Sequence, residues 1–499
     1  MSYAVEMIGI GKSFGDVRAL DDVTLQVQAG TLHAVVGENG AGKTTLMRAL
    51  YGAMRPDQGS IVLEGKPVNF RSSREAIAAG VGMVSQHYAI IPELTCLENL
   101  ILGAEGGPVL SLAAAQERAE SLAQKMGFQF DWSAEASTLS PAGAQKLEIL
   151  KLLWRDARIM ILDEPTAMLS PADADGLFAS LTELVKGGAT ILLVTHRLPE
   201  VMDYCQHVTT LRAGVRVDDR PTSTTTSKEL ARQIVGGDVI EPIPRTHEIS
   251  ATRCLMVNDL VVLGDRKDEA LKGVSLQVSE GELVGIAGVD GSGQRELFQA
   301  IVGVRSPVKG TISIGGQRSE GATPWERIER GLRTIPEDRH EEAIIEDWSL
   351  VDNAALGLQR LAPFARGKTL DRKEMERLAL MMADRFNTKR GSFEESIHSL
   401  SGGNQQRFVA GRALELSPKV LLAFQPARGL DLNATERVYA GIREACAAGA
   451  GALVVSFDLD ELLSHCDRVI VMNLGRVFEP PADKALDREV IGQLMVGAG

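Results

Sequence analysis

The sequence predicts an α/β chain made of two homologous domains, each built on a mainly parallel sheet. Three observations carry this. Residues 37–45, Gly37-Glu38-Asn39-Gly40-Ala41-Gly42-Lys43-Thr44-Thr45, fit the phosphate-loop pattern G-x-x-x-x-G-K-[ST], with an apolar run before them and a helical pattern after. A second copy of the surrounding pattern lies 251 residues further on, Gly37 aligning with Gly288. Short apolar runs alternate with helical patterns throughout, which argues for α/β layers.

The phosphate loop organises the rest. Leu32-His33-Ala34-Val35-Val36 reads as a buried parallel strand, and Leu46-Met47-Arg48-Ala49-Leu50 as a helix. Gly37, Gly40 and Gly42 let the backbone turn sharply and point successive N–H groups inward as an anion nest. The helix opening at about Gly42 adds its positive end. Lys43 offers a cation to the outer phosphates, and Thr44 a hydroxyl to Mg²⁺.

The repeat sets the domains. Leu20-Asp-Asp-Val-Thr-Leu-Gln-Val27 aligns with Leu271-Lys-Gly-Val-Ser-Leu-Gln-Val278, without a gap as far as Gly65 and Gly316. The copies also end alike, at Ile234-Val235-Gly236 and Met495-Val496-Gly497. The expected domains are 1–240 and 252–499. Residues 241–251, with two prolines in Glu241-Pro-Ile-Pro244, read as a short stiffened linker.

Bulk properties narrow the function. A net charge of −13 argues against nucleic acid as the main partner. No uninterrupted apolar run approaches the roughly 20 residues of a spanning helix. The N-terminus carries Glu6 and no apolar core segment, so no signal peptide is expected. Five cysteines, at 96, 205, 254, 446 and 466, are scattered and never paired as C-x-x-C. They read as reduced cytosolic residues.

In the first half, Phe14 fits two roles, an adenine-stacking platform or a strand core aromatic. Gln86 ends the apolar run Val81-Gly-Met-Val-Ser85, at the carboxyl edge where open α/β sheets bind ligands. Residues from about 90 to 150 read as a helical insertion. Ile159-Met-Ile-Leu-Asp163-Glu164 is a buried strand ending in two carboxylates. Buried carboxylates are costly unless paired or metal-bound. Asp163 is therefore the expected outer-sphere Mg²⁺ partner, and Glu164 the group that orients or deprotonates an attacking water. His196 ends the strand Ala189-Thr-Ile-Leu-Leu-Val-Thr195, within reach of a terminal phosphate or in a structural role.

Together, in this order and spacing, these residues resemble the nucleotide-binding domain of an ABC transporter, twice over. The resemblance implies two tandem P-loop NTPase domains, each with a RecA-like parallel core, a small antiparallel β part and a helical subdomain. It implies ATP and Mg²⁺ as cofactors. Phe14 would stack on adenine, and Gly37 to Thr45 would cradle the phosphates. Thr44, Gln86 and Asp163 would serve the metal, with Gln86 also sensing a membrane partner. Glu164, His196, Gln86 and Lys43 would form the catalytic set.

The family signature, Leu-Ser-Gly-Gly-Gln, meets the nucleotide of the opposing domain through helix N–H groups. It is intact in the second half as Leu400-Ser401-Gly402-Gly403-Asn404-Gln405-Gln406. In the first half it reads Leu139-Ser140-Pro141-Ala142-Gly143, with alanine at the signature glycine. The second half is degenerate elsewhere. Gln294 replaces the lysine and Arg295 the hydroxyl residue. Phe424 and Gln425 replace the two carboxylates, Glu337 the glutamine and Phe457 the histidine.

The losses are complementary. The family's head-to-tail pairing implies one hydrolytic site, combining the first half's machinery with Ser401, Gly402, Gly403 and Asn404, and flanked by Asp431. Fused pairs with a degenerate second half resemble ATPase subunits of bacterial sugar and nucleoside importers. Gly82-Met-Val-Ser-Gln-His-Tyr88, Gly288-Val-Asp-Gly291, Ile335-Pro-Glu-Asp-Arg339 and Ala423-Phe-Gln-Pro426 look closest to the nucleoside type. The class implies two permease subunits, an external solute-binding protein and a peripheral place on the cytoplasmic face of the inner membrane. Two rivals stand beside this reading: a soluble tandem ATPase acting on ribosomes or nucleic acid, and a regulatory nucleotide-binding module without turnover.

Overall fold

Two compact units make up the computed structural model, Met1–Val239 and Ile240–Gly499. The structure describes the chain except residues 1, 16, 86–88, 105–110, 140, 167–168, 170, 238–248, 266, 367–368, 389–390 and 496–499. Most of the expected linker thus lies outside the described residues.

The strands of the first unit are β1 (Tyr3–Phe14), β2 (Val17–Gln28), β3 (Leu32–Gly37), β4 (Gln58–Leu63), β5 (Lys66–Val68), β6 (Val81–Val84), β7 (Ile159–Asp163), β8 (Thr190–Val194), β9 (His207–Arg212) and β10 (Val215–Pro221). An antiparallel sheet, β2-β1-β4-β5, lies beside a six-stranded sheet, β10-β9-β3-β8-β7-β6, parallel except at β10. The two sheets read differently in sequence. In β2, Val23, Leu25 and Val27 are buried and alternate with more exposed residues, as a sheet with one covered face demands. In β3, β7 and β8 every residue is buried, as in a parallel sheet covered on both faces. The core between the sheets joins Val5, Met7, Leu25, Val35, Leu46, Leu50, Ile161 and Leu192. Each such side chain adds roughly 1.5–3 kcal/mol on burial.

The second unit repeats this plan. Its strands are β11 (Arg253–Leu263), β12 (Glu269–Ser279), β13 (Leu283–Ala287), β14 (Lys309–Ile314), β15 (Gln317–Arg318), β16 (Leu332–Ile335), β17 (Ala365–Arg366), β18 (Thr369–Leu370), β19 (Val420–Phe424), β20 (Gly451–Val455), β21 (Arg468–Asn473) and β22 (Arg476–Phe478). Its main sheet runs β16-β19-β20-β13-β21-β22, the order β6-β7-β8-β3-β9-β10 of the first unit strand for strand. A small antiparallel hairpin, β17–β18, lies between its helices Leu350–Ala354 and Arg372–Arg385.

Each unit carries the expected helical region. In the first unit it is Cys96–Ile101, Leu112–Lys125 and Pro141–Trp154, and in the second Leu350–Ala354, Arg372–Arg385 and Gly402–Glu415. Helix 372–385 buries Met375, Leu378, Ala379, Met382 and Ala383, a stripe at helical spacing. One buried asparagine per unit fixes the loop that enters this region. Asn99 Nδ2 donates to the carbonyls of Ile91, Leu94 and Thr95, and its Oδ1 accepts from the Ile91 N–H. Asn353 makes the same four bonds to Ile345, Trp348 and Ser349.

Strand order positions the site. β8 lies between β3 and β7, all parallel, so the loops leaving their carboxyl ends converge. Those loops are the phosphate loop, the Asp163–Glu164 turn and the Thr195–His196 turn.

Candidate functional site

The phosphate loop joins β3 to the helix Lys43–Leu50, with Gly42 as the cap in a left-handed conformation (φ 99°). A Cβ at Gly42 would fall 2.7 Å from the Ala19 carbonyl oxygen, and one at Gly37 would fall 2.3 Å from that of Leu211. Glycine is therefore required at both positions by space, and at Gly42 also by backbone conformation. Glu38, Asn39, Gly40 and Ala41 complete the turn, with Asn39 and Gly40 exposed. Lys43 is buried, and its Nζ donates to the carbonyls of Gly37 (2.7 Å) and Glu38 (3.0 Å). Burial lowers the Lys43 pKa, against the pull of Glu164 and Asp163. A desolvated ammonium at the N-terminus of a helix favours an anion.

Thr44 Oγ1 donates to Asp163 Oδ2 at 3.1 Å, bringing the phosphate-loop hydroxyl to the end of β7. Asp163 is buried, and desolvation raises its pKa while the Thr44 bond and Lys43 oppose the rise. A hydroxyl and a carboxylate converging beside a phosphate nest form a hard-oxygen donor set that fits Mg²⁺.

Glu164 follows at φ 49°, left-handed for a non-glycine residue, and its N–H is tied to the Val194 carbonyl at 2.8 Å. That bond pins the strained turn to β8. Glu164 Oε1 lies 3.0 Å from His196 Nδ1. Burial would raise the Glu164 pKa, but the His196 hydrogen bond and the charges of His196, Lys43 and Arg197 outweigh it, and the net shift is downward. The carboxylate is thus held ionised and aimed by the imidazole, the posture of a base or water-orienting group.

Sequence reasoning missed the bracket that holds this turn. Thr166 Oγ1 donates to Glu200 Oε1 at 2.7 Å, and Arg197 Nη1 lies 3.6 Å from the same oxygen. Nothing in the pattern marked Glu200, which sits on the short helix Leu198–Tyr204.

Phe14 ends β1 with 53% of its surface exposed, which removes the core reading. The Lys12 ammonium stands 5.7 Å from its ring centre. Thr45 is half-buried in the first turn of the phosphate-loop helix. Gln86 lies outside the described residues, so its expected place beside the metal is not described; the same holds for Ser140 of the altered signature. In the second unit, Ser401 caps the helix Gly402–Glu415, and Asn404 Nδ2 donates to Ser401 Oγ at 3.0 Å. Ser401 and Gly402 are exposed, with Gly403 and Asn404 half-buried, so the open helix end faces outward.

The second unit keeps the backbone of the first and exchanges its chemistry. Gln425 takes the same left-handed turn (φ 51°), its N–H tied to the Val455 carbonyl. Phe424 is buried where Asp163 stands in the first unit, and packs edge-on against Phe298 and Phe457. Gln294 Nε2 donates to the Val289 carbonyl at 3.1 Å, a neutral version of the Lys43 bond. The two strand-end carboxylates, Asp163 and Glu164, thus have an apolar cluster and an amide as their counterparts.

The comparisons agree with this architecture. The family described as ABC transporter matches residues 20–167 and 271–427, once in each unit. Similar curated proteins include the glucose import ATP-binding protein TsgD13 of Haloferax volcanii, 36% identical over 99% of this chain and 96% of that protein. The guanosine import ATP-binding protein NupO of Bacillus subtilis is 36% identical over 100% and 98%. The nucleoside import ATP-binding protein NupA of Lactococcus lactis is 35% identical over 99% and 98%. A doubled phosphate-loop fold, matched by the family profile in both halves and by relatives along nearly its whole length, places this chain in the ABC transporter family as an ATP-binding ATPase subunit coupled to transport.

Proposed function

We propose that this chain is the ATP-hydrolysing subunit of an importer for nucleosides, with one competent ATP site per chain. The observation that carries the single-site reading is the contrast at the end of the central strands. Thr44, Asp163, Glu164 and His196 meet in the first unit, while Arg295, Phe424, Gln425 and Phe457 stand in their place in the second.

The competent site combines the first unit's phosphate loop with Ser401, Gly402, Gly403 and Asn404 of the second unit's signature. The nest and Lys43 bind the β- and γ-phosphates, and the exposed ring of Phe14 receives the adenine. Thr44, Asp163 and Gln86 hold Mg²⁺, which when bound neutralises charge on the phosphates. Glu164 takes a proton from water as the water oxygen bonds to the γ-phosphorus and the β–γ bridging bond breaks, leaving ADP and phosphate. His196 keeps the Glu164 carboxylate aimed. The Ser401 hydroxyl and the signature N–H groups receive the γ-phosphate.

No helix among the described residues is long and apolar enough to cross a membrane. In keeping with its similarity to import ATP-binding proteins, the chain works through two permease subunits and an external solute-binding protein, on the cytoplasmic face of the inner membrane. ATP-driven closure of the two units supplies the power stroke.

The nucleoside assignment is supported by the guanosine and nucleoside import roles for which NupO and NupA are named and by the loop stretches named above. The relative named for glucose favours a second reading, a sugar importer with the same machine. The test is the ATPase rate of the reconstituted complex with its binding protein, against panels of nucleosides and sugars, with Lys43→Ala as the blank. Nucleosides should stimulate the rate; stimulation by sugars alone would overturn the substrate assignment and leave the ATPase reading intact.

A further inference from the structure

The two positions that would flank the metal in the first unit, Thr44 and Gln86, are Arg295 and Glu337 in the second, each 251 residues on. They exchange one neutral pair for two opposite charges, and the charges meet. Arg295 Nε and Nη2 both donate to Glu337 Oε2, at 3.0 and 2.9 Å. Arg428 Nη1 approaches the other oxygen at 4.0 Å. The phosphate loop of the second unit is thus tied directly, without a metal, to the segment that leaves β16.

That segment continues to the signature. Two residues after Glu337, Arg339 Nε donates to Gln405 Oε1 at 3.1 Å. Its Nη2 lies only 2.7 Å from where a Cβ on Gly402 would sit, so the guanidinium rests on the bare Cα of the signature glycine. The next two residues of the same helix turn are also anchored. Gln406 Nε2 donates to the Pro426 carbonyl at 3.1 Å, and Arg407 Nη2 donates to Asp431 Oδ2 at 2.6 Å. Gln405, Gln406 and Arg407 therefore fix the start of the signature helix to the segment after β16 and to the loop after β19, and the Gln405 anchor leads back to the phosphate loop.

We propose that the degenerate nucleotide pocket of the second unit has become a strut, Arg295–Glu337–Arg339, that holds Ser401–Gly403 in position for hydrolysis at the site of the first unit, with Arg339 as a positioning residue. A metal-mediated link forms and breaks with nucleotide, whereas a direct ion pair between Arg295 and Glu337 persists through the cycle. This rests on the composite-site reading above.

The test is steady-state ATPase of the full chain in its transporter complex. Arg295→Ala and Glu337→Ala should each lower kcat about fivefold with KM for ATP unchanged, a size in keeping with a half-exposed ion pair. The charge exchange Arg295→Glu with Glu337→Arg should restore most of the loss. Arg339→Ala should behave like the single variants, and Arg339→Lys should recover part of the rate. Unchanged kcat in the single variants, or an exchange no better than either, would overturn the strut. A drop in the number of ATP molecules bound by Arg295→Ala would also overturn it, because the pair would then serve a ligand. Ser401→Ala separates the two levels. If it leaves turnover intact, the composite site itself fails; if it slows turnover while Arg295→Ala does not, only the strut fails.

Discussion

His33 sits on β3, the strand that delivers the phosphate loop, and it makes the first unit sensitive to acid. Its ring is buried and stacked 5.5 Å from that of His207. Thr209 Oγ1 donates to Asp219 Oδ1 at 3.1 Å, so it accepts from His33 Nε2 at 2.8 Å. Burial, then the neighbouring His207, lowers the His33 pKa from 6.5 to about 3. The native ring therefore stays neutral where the unfolded one takes a proton. Stability is intact above pH 6.5 and is lost as pH falls from 6.5 towards 3, since only the unfolded state binds the proton in that window. Between pH 7 and pH 5 the linkage removes about 2 kcal/mol, a large share of the roughly 5–15 kcal/mol of an ordinary domain. The assay is urea unfolding of the full chain at both pH values, beside His33→Gln, whose amide can still donate to Thr209. The variant should lose about 2 kcal/mol less than the unsubstituted chain on acidification. Equal losses in the two proteins would refute the assignment of this dependence to His33.

Two further outcomes follow from other parts of the structure. Glu164→Gln should reduce turnover at least 100-fold, on the order expected for loss of a positioned base, and should trap one Mg-ATP per chain. Two tightly held molecules, counted with labelled nucleotide, would contradict a single competent site. Arg327 is buried; its Nη1 closes the end of helix Gln294–Val302 by donating to the carbonyls of Ala300 and Ile301, and its Nε donates to the Ala322 carbonyl. Arg327→Met should leave those acceptors unpaired and destabilise the second unit by about 2–3 kcal/mol, read from its unfolding midpoint; a loss below about 0.5 kcal/mol would show that water replaces the side chain.

What the sequence by itself determined is whatever depends on short stretches of chain. The nest of Gly37 to Thr45, the strand ending in Asp163 and Glu164, the strand before His196 and the offset between the repeats are all local patterns of size, polarity and glycine. The identical strand order of the two units follows from that repeat. Family resemblance added the roles that spacing alone left open for Phe14 and His196. Tertiary structure decided which distant groups meet. Thr44 reaches Asp163, 119 residues away, only because β8 spaces β3 and β7 as near neighbours. Arg295 and Glu337 could be read as two separate losses of catalytic chemistry; their 2.9 Å contact makes them one interaction. Arg339 lay in a motif used only to judge the branch, and its bond to Gln405 depends on how a 66-residue excursion through the helical region returns to the segment after β16. Local chemistry is written along the chain, while such pairings depend on strand order and crossover length, which no short window of residues contains.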